Sequence, residues 1–287
     1  MKLNKNANTN ILIVGLGLLG GSYAKALKKK GYHVSAITLD QESIDYAVSE
    51  GIIDEGSSKV DARLIEEAEL IVFALYPHVF IDWIKENQKL FRTGTILTDV
   101  TGVKSNVVYK IQEMLRDDVE FIAAHPMAGR EVYGVRNSSE KIFEGANYIV
   151  VPTERNTAAA IALCEELGHE LGFASVSRLS PEKHDEMIAF LSQLTHCIAV
   201  SLMCCNNAEN LEDYTGDSFR DLTRIARINE KMWSELFAMN KEQLLLQMEL
   251  FSKTFEELKT ALKEDDISKM QEMMRLSTAR RARFDKE

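Results

Sequence analysis

At 287 residues, 45% apolar and 27% charged, the chain has the composition of a soluble globular protein, long enough for one large domain or two medium ones. A formal net charge of −10 argues against a surface built for nucleic acid or anionic lipid. Four cysteines at 164, 197, 204 and 205 follow neither a disulfide framework nor a CxxC spacing, so reduced thiols in a cytoplasmic protein, without a metal site, are expected. Residues 1–10 are polar and lack the apolar core of a leader, and no stretch reads as approaching the length of a membrane span. The basic runs Lys28 to Lys30 and Arg280 to Arg283 read as helix C-termini, where cations favour the dipole.

The first element is the run Ile11 to Val14, which suits a buried parallel strand and leads directly into glycines 15, 17 and 20. Strand, GxGxxG turn and helix start form a dinucleotide-binding signature. Gly15 permits the sharp turn, Gly17 lets backbone approach a pyrophosphate, and Gly20 lets the helix pack closely on the strand. Leu18 and Leu19 open that helix, where free N–H groups favour an anion, and join the glycines as cofactor-binding candidates. Val34 to Leu39 reads as the second strand, followed by a polar helix from Asp40 to Glu50 that ends at Gly51. Further strands are expected at Leu70 to Leu75, Thr95 to Asp99, Glu120 to Ala124 and Tyr148 to Pro152. A last run, Ala174 to Leu179, is expected to close a mostly parallel sheet.

At Ser180 the character changes. Ser180 suits an N-cap, Pro181 suits the first helical position, and beyond it there is no other proline and only one glycine, Gly216. The boundary divides a dinucleotide-binding domain, residues 1–179, from an all-helical domain, residues 180–287. Pro181 to Cys205 reads as one long apolar helix, and Asn240 with Gln243 reads as a capping box opening another. In that later helix Leu244, Met248, Phe251, Phe255, Leu258 and Leu262 make a narrow stripe. It fits a helix packed on another helix, either across a dimer or within one chain; periodicity does not distinguish the two.

Chemistry-bearing residues cluster at strand ends. The second strand should end in an acidic residue that grips the ribose of NAD, and Asp40 stands at the right distance; the register also allows Thr38 at that place. No arginine follows Asp40 closely in sequence, which favours NAD while leaving NADP open. Tyr76 and Pro77 follow another strand and are candidates for the cofactor cleft, although Tyr76 also fits an ordinary half-buried aromatic. Asp99 to Ser105 is a loop rich in small and hydroxyl residues, suited either to a cleft wall or to a simple turn. His125 follows Ile122-Ala123-Ala124 and emerges at the same sheet edge as the glycine turn, where a neutral imidazole could take a proton during hydride transfer. Histidines 33, 78, 169 and 184 read as surface-turn or helix-end residues. Asp185, Ser192 and His196 share one helix face, and Asp221 and Arg224, three apart, can pair or hold the arginine ready for a substrate carboxylate.

Taken together, GLGLLGGS at Gly15 to Ser22, TDVTGVK at Thr98 to Lys104, HPMAGRE at His125 to Glu131, the helix carrying His196 and FRDLTRIA at Phe219 to Ala226 resemble the prephenate/arogenate dehydrogenase family of tyrosine biosynthesis. The resemblance implies an α/β chain, a Rossmann-type parallel-sheet domain followed by an all-α dimerisation domain, with the active site in the cleft between them and a homodimer formed through the helices. It implies His125 as catalytic proton acceptor, His196 as a second active-site histidine, Arg224 as the substrate-carboxylate ligand, and Glu131 and Asp221 as acidic partners of that arginine. The implied reaction is NAD-dependent oxidative decarboxylation of prephenate to 4-hydroxyphenylpyruvate. Arg130 is a candidate for favouring a keto-acid side chain.

Two departures stand out. Gly102 occupies the place of a family serine whose hydroxyl orients the histidine, leaving Thr101 or a water to substitute. Ser192-Gln193 stands where a Ser-His pair is common. The chain ends at Glu287, which leaves no room for a regulatory domain, so inhibition by tyrosine is expected near the active site. Competing readings are arogenate dehydrogenase, a β-hydroxyacid dehydrogenase, which would need a catalytic lysine beside His196, and a catalytically silent dinucleotide-binding interaction protein.

Overall fold

The computed structural model describes residues 9–284; most of the polar N-terminal stretch lies outside them. Its centre is β1 (Asn10–Val14), whose apolar residues alternate between the two faces of a sheet. Ile11 and Ile13 join one buried cluster, and Leu12 and Val14 the other. A strand buried on both faces needs apolar residues at every position, which is why this run is unbroken. From β1 the chain winds outward through α1 (Leu18–Lys29), β2 (His33–Ile37), α2 (Gln41–Ser49), β3 (Glu55–Ser57) and α3 (Ala62–Glu67). It then crosses to the other side of β1 and continues through β4 (Leu70–Phe73), α4 (Pro77–Asn87), β5 (Ile96–Asp99), α5 (Ser105–Met114) and the two-residue β6 (Glu120–Phe121). The strand order is β3-β2-β1-β4-β5-β6, all parallel. The winding therefore reverses between β1 and β4, and open α/β sheets bind ligands at such a switch point, outside the carboxyl ends of the strands.

Two expectations about the sheet are corrected. Glu120 to Ala124 is not one strand: after Ile122 donates to Leu97 O (2.9 Å), the chain leaves the parallel sheet and forms β7 (Ala123–Pro126). β7 pairs antiparallel with β8 (Asn147–Val151), which pairs in parallel with β9 (Ser175–Arg178) across α6 (Ala158–Leu171). The run at Ala174 to Leu179 thus closes a second, three-stranded sheet and not the first. An apolar run records burial but not its pairing partner.

Beyond Ser180, whose hydroxyl accepts from Lys183 N (3.2 Å), the chain is helical. α7 (Pro181–Ile188), a π-helical stretch (Ala189–Leu194) and α8 (Thr195–Cys204) run on as one helix. At 24 residues, with an 18-residue stretch of mean hydropathy 1.7, it is long and apolar enough to cross a membrane by length and composition, contrary to the sequence expectation. Its polar Ser192, Gln193, Thr195 and His196 mask that residues 187–204 contain no charged side chain. The first turns are built into the protein through His184 and Asp185, both buried, whereas Phe190 and Leu191 are exposed. The π-helical stretch also changes the helical phase between Asp185 and His196, so the two do not share one simple stripe.

The remaining helices are α9 (Asp217–Thr223), α10 (Glu230–Met239), α11 (Lys241–Lys263) and α12 (Ile267–Arg281). The expected capping box at Asn240 does not form; its amide Nδ2 instead donates to Asp185 O (2.9 Å) and Gln193 Oε1 (2.8 Å), tying α11 to the long helix. Along the α11 stripe Leu244 is 5% exposed and Leu258 half-buried, whereas Met248, Phe251, Phe255 and Leu262 are exposed, so packing within one chain leaves most of the stripe uncovered. All four thiols are free.

Candidate functional site

The glycine turn has the geometry its sequence demands. Gly15 has φ +97, and a Cβ there would stand 2.4 Å from Ala74 O; at Gly20 it would stand 1.9 Å from Gly15 O. Both positions therefore exclude any side chain. Around Gly17 nothing lies within 4 Å of where a Cβ would be. Gly17 is also the N-cap of α1, with no side chain capping it and no acidic residue in the first turn. Open space facing free helix N–H groups is what a pyrophosphate requires, so the residues present fit a dinucleotide. Leu18 and Leu19 form the first turn beside it.

Asp40 and Thr38, the two candidates at the end of β2, are held differently. Asp40 is exposed and N-caps α2, accepting from Glu42 N and Ser43 N (3.2 Å each) and from Ser43 Oγ (2.5 Å). Thr38 is the first residue past β2, half-buried, with its amide donating to Ser57 O (3.2 Å). Across the switch point, Tyr76 caps α4 and Pro77 is its first residue. The helical half reaches over to this corner. Glu235 of α10 accepts from His78 N (2.8 Å) and lies 2.7 Å from His78 Nδ1, and Asn229 Nδ2 donates to Tyr76 OH (3.2 Å).

His125 leaves β7 toward the cleft, and its ring is held from behind. Its Nδ1 lies 2.8 Å from Nε2 of His184, whose Nδ1 lies 2.8 Å from Asp185 Oδ1. Asp185 only accepts when ionised, so His184 carries its proton on Nδ1 and presents a lone pair at Nε2 to His125 Nδ1–H. The free lone pair of His125 is then on Nε2, the nitrogen 3.9 Å from where a Cβ of Gly102 would stand. Burial first, then the neighbouring His184 and Lys104, push the His125 imidazole well below the ordinary histidine value. Burial also lowers His184, against the opposing pull of Asp185. For Asp185 itself burial works against ionisation, but the hydrogen bonds from His184 and Ser105 outweigh it and the carboxyl stays below its usual range. Asp185 further accepts from Lys104 N and Ser105 N (2.8 Å each) at the start of α5, pinning the helical half to the sheet.

Thr101 does not take the place of the missing loop hydroxyl. Its Oγ1 bonds to Asp99 Oδ2 and to Val103 O (3.1 Å), and accepts from Lys104 Nζ (3.2 Å). Lys104 is fully buried, bonded also to Asp99 Oδ2 (2.7 Å) and Ala124 O (2.6 Å). A buried ammonium needs this full set of acceptors, and meeting it consumes the Thr101 hydroxyl.

His196 belongs to a second group. Its Nδ1 donates to Ser192 O (2.8 Å), freeing Nε2, and its ring stacks on Trp233 of α10 with centroids 3.7 Å apart and planes at 30°. Burial first lowers its pKa, while the nearby Glu131 and Arg224 pull in opposite directions. Arg224 Nη1 pairs with Glu131 Oε1, and both side chains remain solvent-accessible. Asp221, expected to pair with Arg224, is exposed and not bonded to it; the partner comes from the loop after β7 instead. Arg130 is exposed beside Glu131. One face of α10 joins the two groups, since Leu236, three residues after Trp233, lies 3.5 Å from the Gly102 Cβ position. The sequence pointed to His125, His196, Glu131 and Arg224 as candidates but not to His184, Lys104 and Trp233, which pack around them, nor to Glu235 at the start of α4. The available signal was His184-Asp185 at the start of a helix that turns apolar only after Glu186.

Two family models divide the chain in the same order as its architecture: "Prephenate dehydrogenase, nucleotide-binding domain" matches residues 23–176 and "Prephenate dehydrogenase, dimerization domain" matches residues 180–276. The chain belongs to the prephenate dehydrogenase family. It is thereby an oxidoreductase of the prephenate/arogenate type with a nucleotide-binding domain and a helical domain. Among relatives, it is 29% identical over 265 residues to prephenate dehydrogenase of Bacillus subtilis (strain 168), covering 89% of this chain and 71% of that protein. It is 26% identical over 265 residues to cyclohexadienyl dehydrogenase of Zymomonas mobilis subsp. mobilis, covering 90% and 89%. Prephenate dehydrogenase from A. aeolicus, solved in complex with hydroxyphenyl propionate and NAD+, superposes with a TM-score of 0.88 at 30% identity, covering 96% of this chain and 98% of that one.

Proposed function

We propose that the protein is a homodimeric, NAD-dependent prephenate dehydrogenase. The observation that carries this reading is His125, neutral, with Nδ1 tied to His184 and Nε2 open beside Gly102. The net reaction removes a hydride from the carbinol carbon and the ring carboxylate as carbon dioxide; the electrons of the broken C–C bond complete the aromatic ring, and the hydroxyl proton, held in passing by His125, returns to the phenolic oxygen of the product. NAD, when bound, supplies the hydride acceptor. Gly15, Gly17, Leu18, Leu19 and Gly20 hold its pyrophosphate, Thr38 faces its ribose end, and Tyr76 and Pro77 flank the cleft. His125 Nε2 takes the hydroxyl proton, which gives the imidazolium two N–H groups. His184 Nε2 accepts from one of them and Asp185 stabilises the charge that develops.

Arg224 binds a substrate carboxylate, exchanging Glu131 for it, and Arg130 favours a keto-acid side chain over an amino-acid one. His196 lines the same cleft through its free Nε2. Asp40 serves α2 as a cap, and Asp221 is exposed without pairing to Arg224. Residues 1–179 and 180–287 act as the two domains. The exposed apolar residues of α11 and of the long helix are covered by a second copy, in keeping with a dimerisation-domain match.

The test is an assay of reduced-nicotinamide absorbance with prephenate or arogenate and NAD+. Turnover with prephenate is expected. Preference for arogenate would overturn the substrate assignment, and silence with both would overturn the reaction.

A further inference from the structure

The ribose end of the nucleotide site carries charges that the sequence order conceals. Two carboxylates stand at the carboxyl ends of β2 and β3, and both are occupied as helix caps. Asp40 caps α2 as described, and Asp61 caps α3 through Arg63 N (3.0 Å) and Leu64 N (3.3 Å). Their charge is offset by the positive ends of the helices they cap. Between them the strand ends supply Thr38, Ser57 and Ser58, which bring hydroxyls and no charge, and then Lys59, whose amide donates to Ser57 Oγ (3.2 Å).

A second cation arrives from far along the chain. Arg136 lies on the 3-10 turn Val135–Asn137, which packs against α1 and α2. Its guanidinium carbon sits 4.3 Å over the ring of Tyr46 of α2. Tyr46 stands in the second turn of α2, the helix that Asp40 caps, and the positive charge of Arg136 adds weakly to the effect of Ser43 in holding the Asp40 carboxyl below its ordinary value. Arg136 and Lys59 are both exposed, and among the described residues neither forms an ion pair with a carboxylate. In this fold the ribose 2′ position lies at the end of β2, where an acidic residue selects against a phosphate and an arginine welcomes one. Here the strand-end residue is the neutral Thr38, the nearby acid is committed to a helix, and two uncommitted cations flank the place.

We infer that this end of the site takes a 2′-phosphate, with Arg136 and Lys59 as its charge partners, so that the protein binds NADP+ as well as NAD+. The inference rests on the nucleotide-site reading and not on the substrate assignment. Stacking on Tyr46 fixes the guanidinium plane, which favours a paired hydrogen bond to phosphate oxygens.

Calorimetric titration of the full-length protein with NAD+, NADP+, ADP and 2′,5′-ADP tests it. The wild type should bind 2′,5′-ADP more tightly than ADP. Arg136→Gln should weaken NADP+ and 2′,5′-ADP about tenfold, the loss of one charge-assisted hydrogen bond, and leave NAD+ and ADP unchanged. Lys59→Gln should act in the same direction by a smaller factor, and Arg136→Lys should recover part of the loss. Absence of NADP+ binding by the wild type overturns the inference. So does an Arg136→Gln variant that weakens NAD+ and NADP+ equally, since that would make the arginine a packing residue. Should no substrate be turned over, the split in affinities still stands or falls by these titrations.

Discussion

His184 Nε2 approaches His125 Nδ1 to 2.8 Å, and the contact joins a strand of the second sheet to the first helix of the other half of the protein. His184→Gln should therefore lower kcat by about 10²-fold, in the range of a lost general-base contribution, while NAD+ affinity stays near wild type. A purely structural role would leave the pH profile in place. Removing His184 instead takes away the acceptor that faces His125 Nδ1–H, so the acid limb of kcat/KM should shift. An unchanged kcat and profile would show that His125 works without this support.

The same two histidines set a pH dependence of stability. Both imidazoles lie below their ordinary value in the folded protein, chiefly through burial. As pH falls through about 6.5, the unfolded chain takes up protons before the folded one does. Stability is full above that pH and declines below it, down to the folded-state values. Thermal melts between pH 8 and 5 should show Tm falling on the acid side, with a shallower fall in His184→Gln. A Tm independent of pH across this window would contradict two imidazoles held neutral by the fold.

Gly102 leaves room beside the reactive nitrogen. A Cβ there would meet Leu236 Cδ1 at 3.5 Å and His125 Nε2 at 3.9 Å, both ordinary contacts, and the backbone is not in the left-handed region. Gly102→Ser should fold normally and raise kcat/KM several-fold, as about one added hydrogen bond helps hold the imidazole and the substrate hydroxyl. A loss of activity with unchanged Tm would mean that the substrate itself needs the space.

Arg224→Ala should raise KM for the substrate about tenfold or more, with kcat within a few-fold of wild type. Steady-state kinetics at saturating NAD+ separates the two constants. An unaltered KM would place the carboxylate elsewhere, with Arg130 the next candidate.

What was legible in the sequence was local. The glycine turn, the alternation of strands and helices, the Ser180-Pro181 start of the helical half and His125 at a strand end each follow from residues a few positions apart. Pairings between distant residues were not. His184 and His125 are 59 residues apart, and the helix-end position of His184 concealed that it is buried. Whether Asp40 reads a ribose or caps a helix depends on Ser43 turning back to it, and Thr101 looked available until Lys104 and Asp99 were seen to claim its hydroxyl. The second sheet escaped for a similar reason, because apolar runs do not name their partners.

Four contacts of α10 and its N-cap reach different parts of the cleft: Glu235 at the start of α4, the N-cap Asn229 at Tyr76, Trp233 on His196 and Leu236 against Gly102. A helix of ten residues thus holds the nucleotide corner and the substrate wall at once. Any displacement of α10 would disturb these contacts together, so a ligand that steadies the helix at one end of the cleft steadies it for the other. Cofactor and substrate should consequently strengthen each other's binding by the same factor.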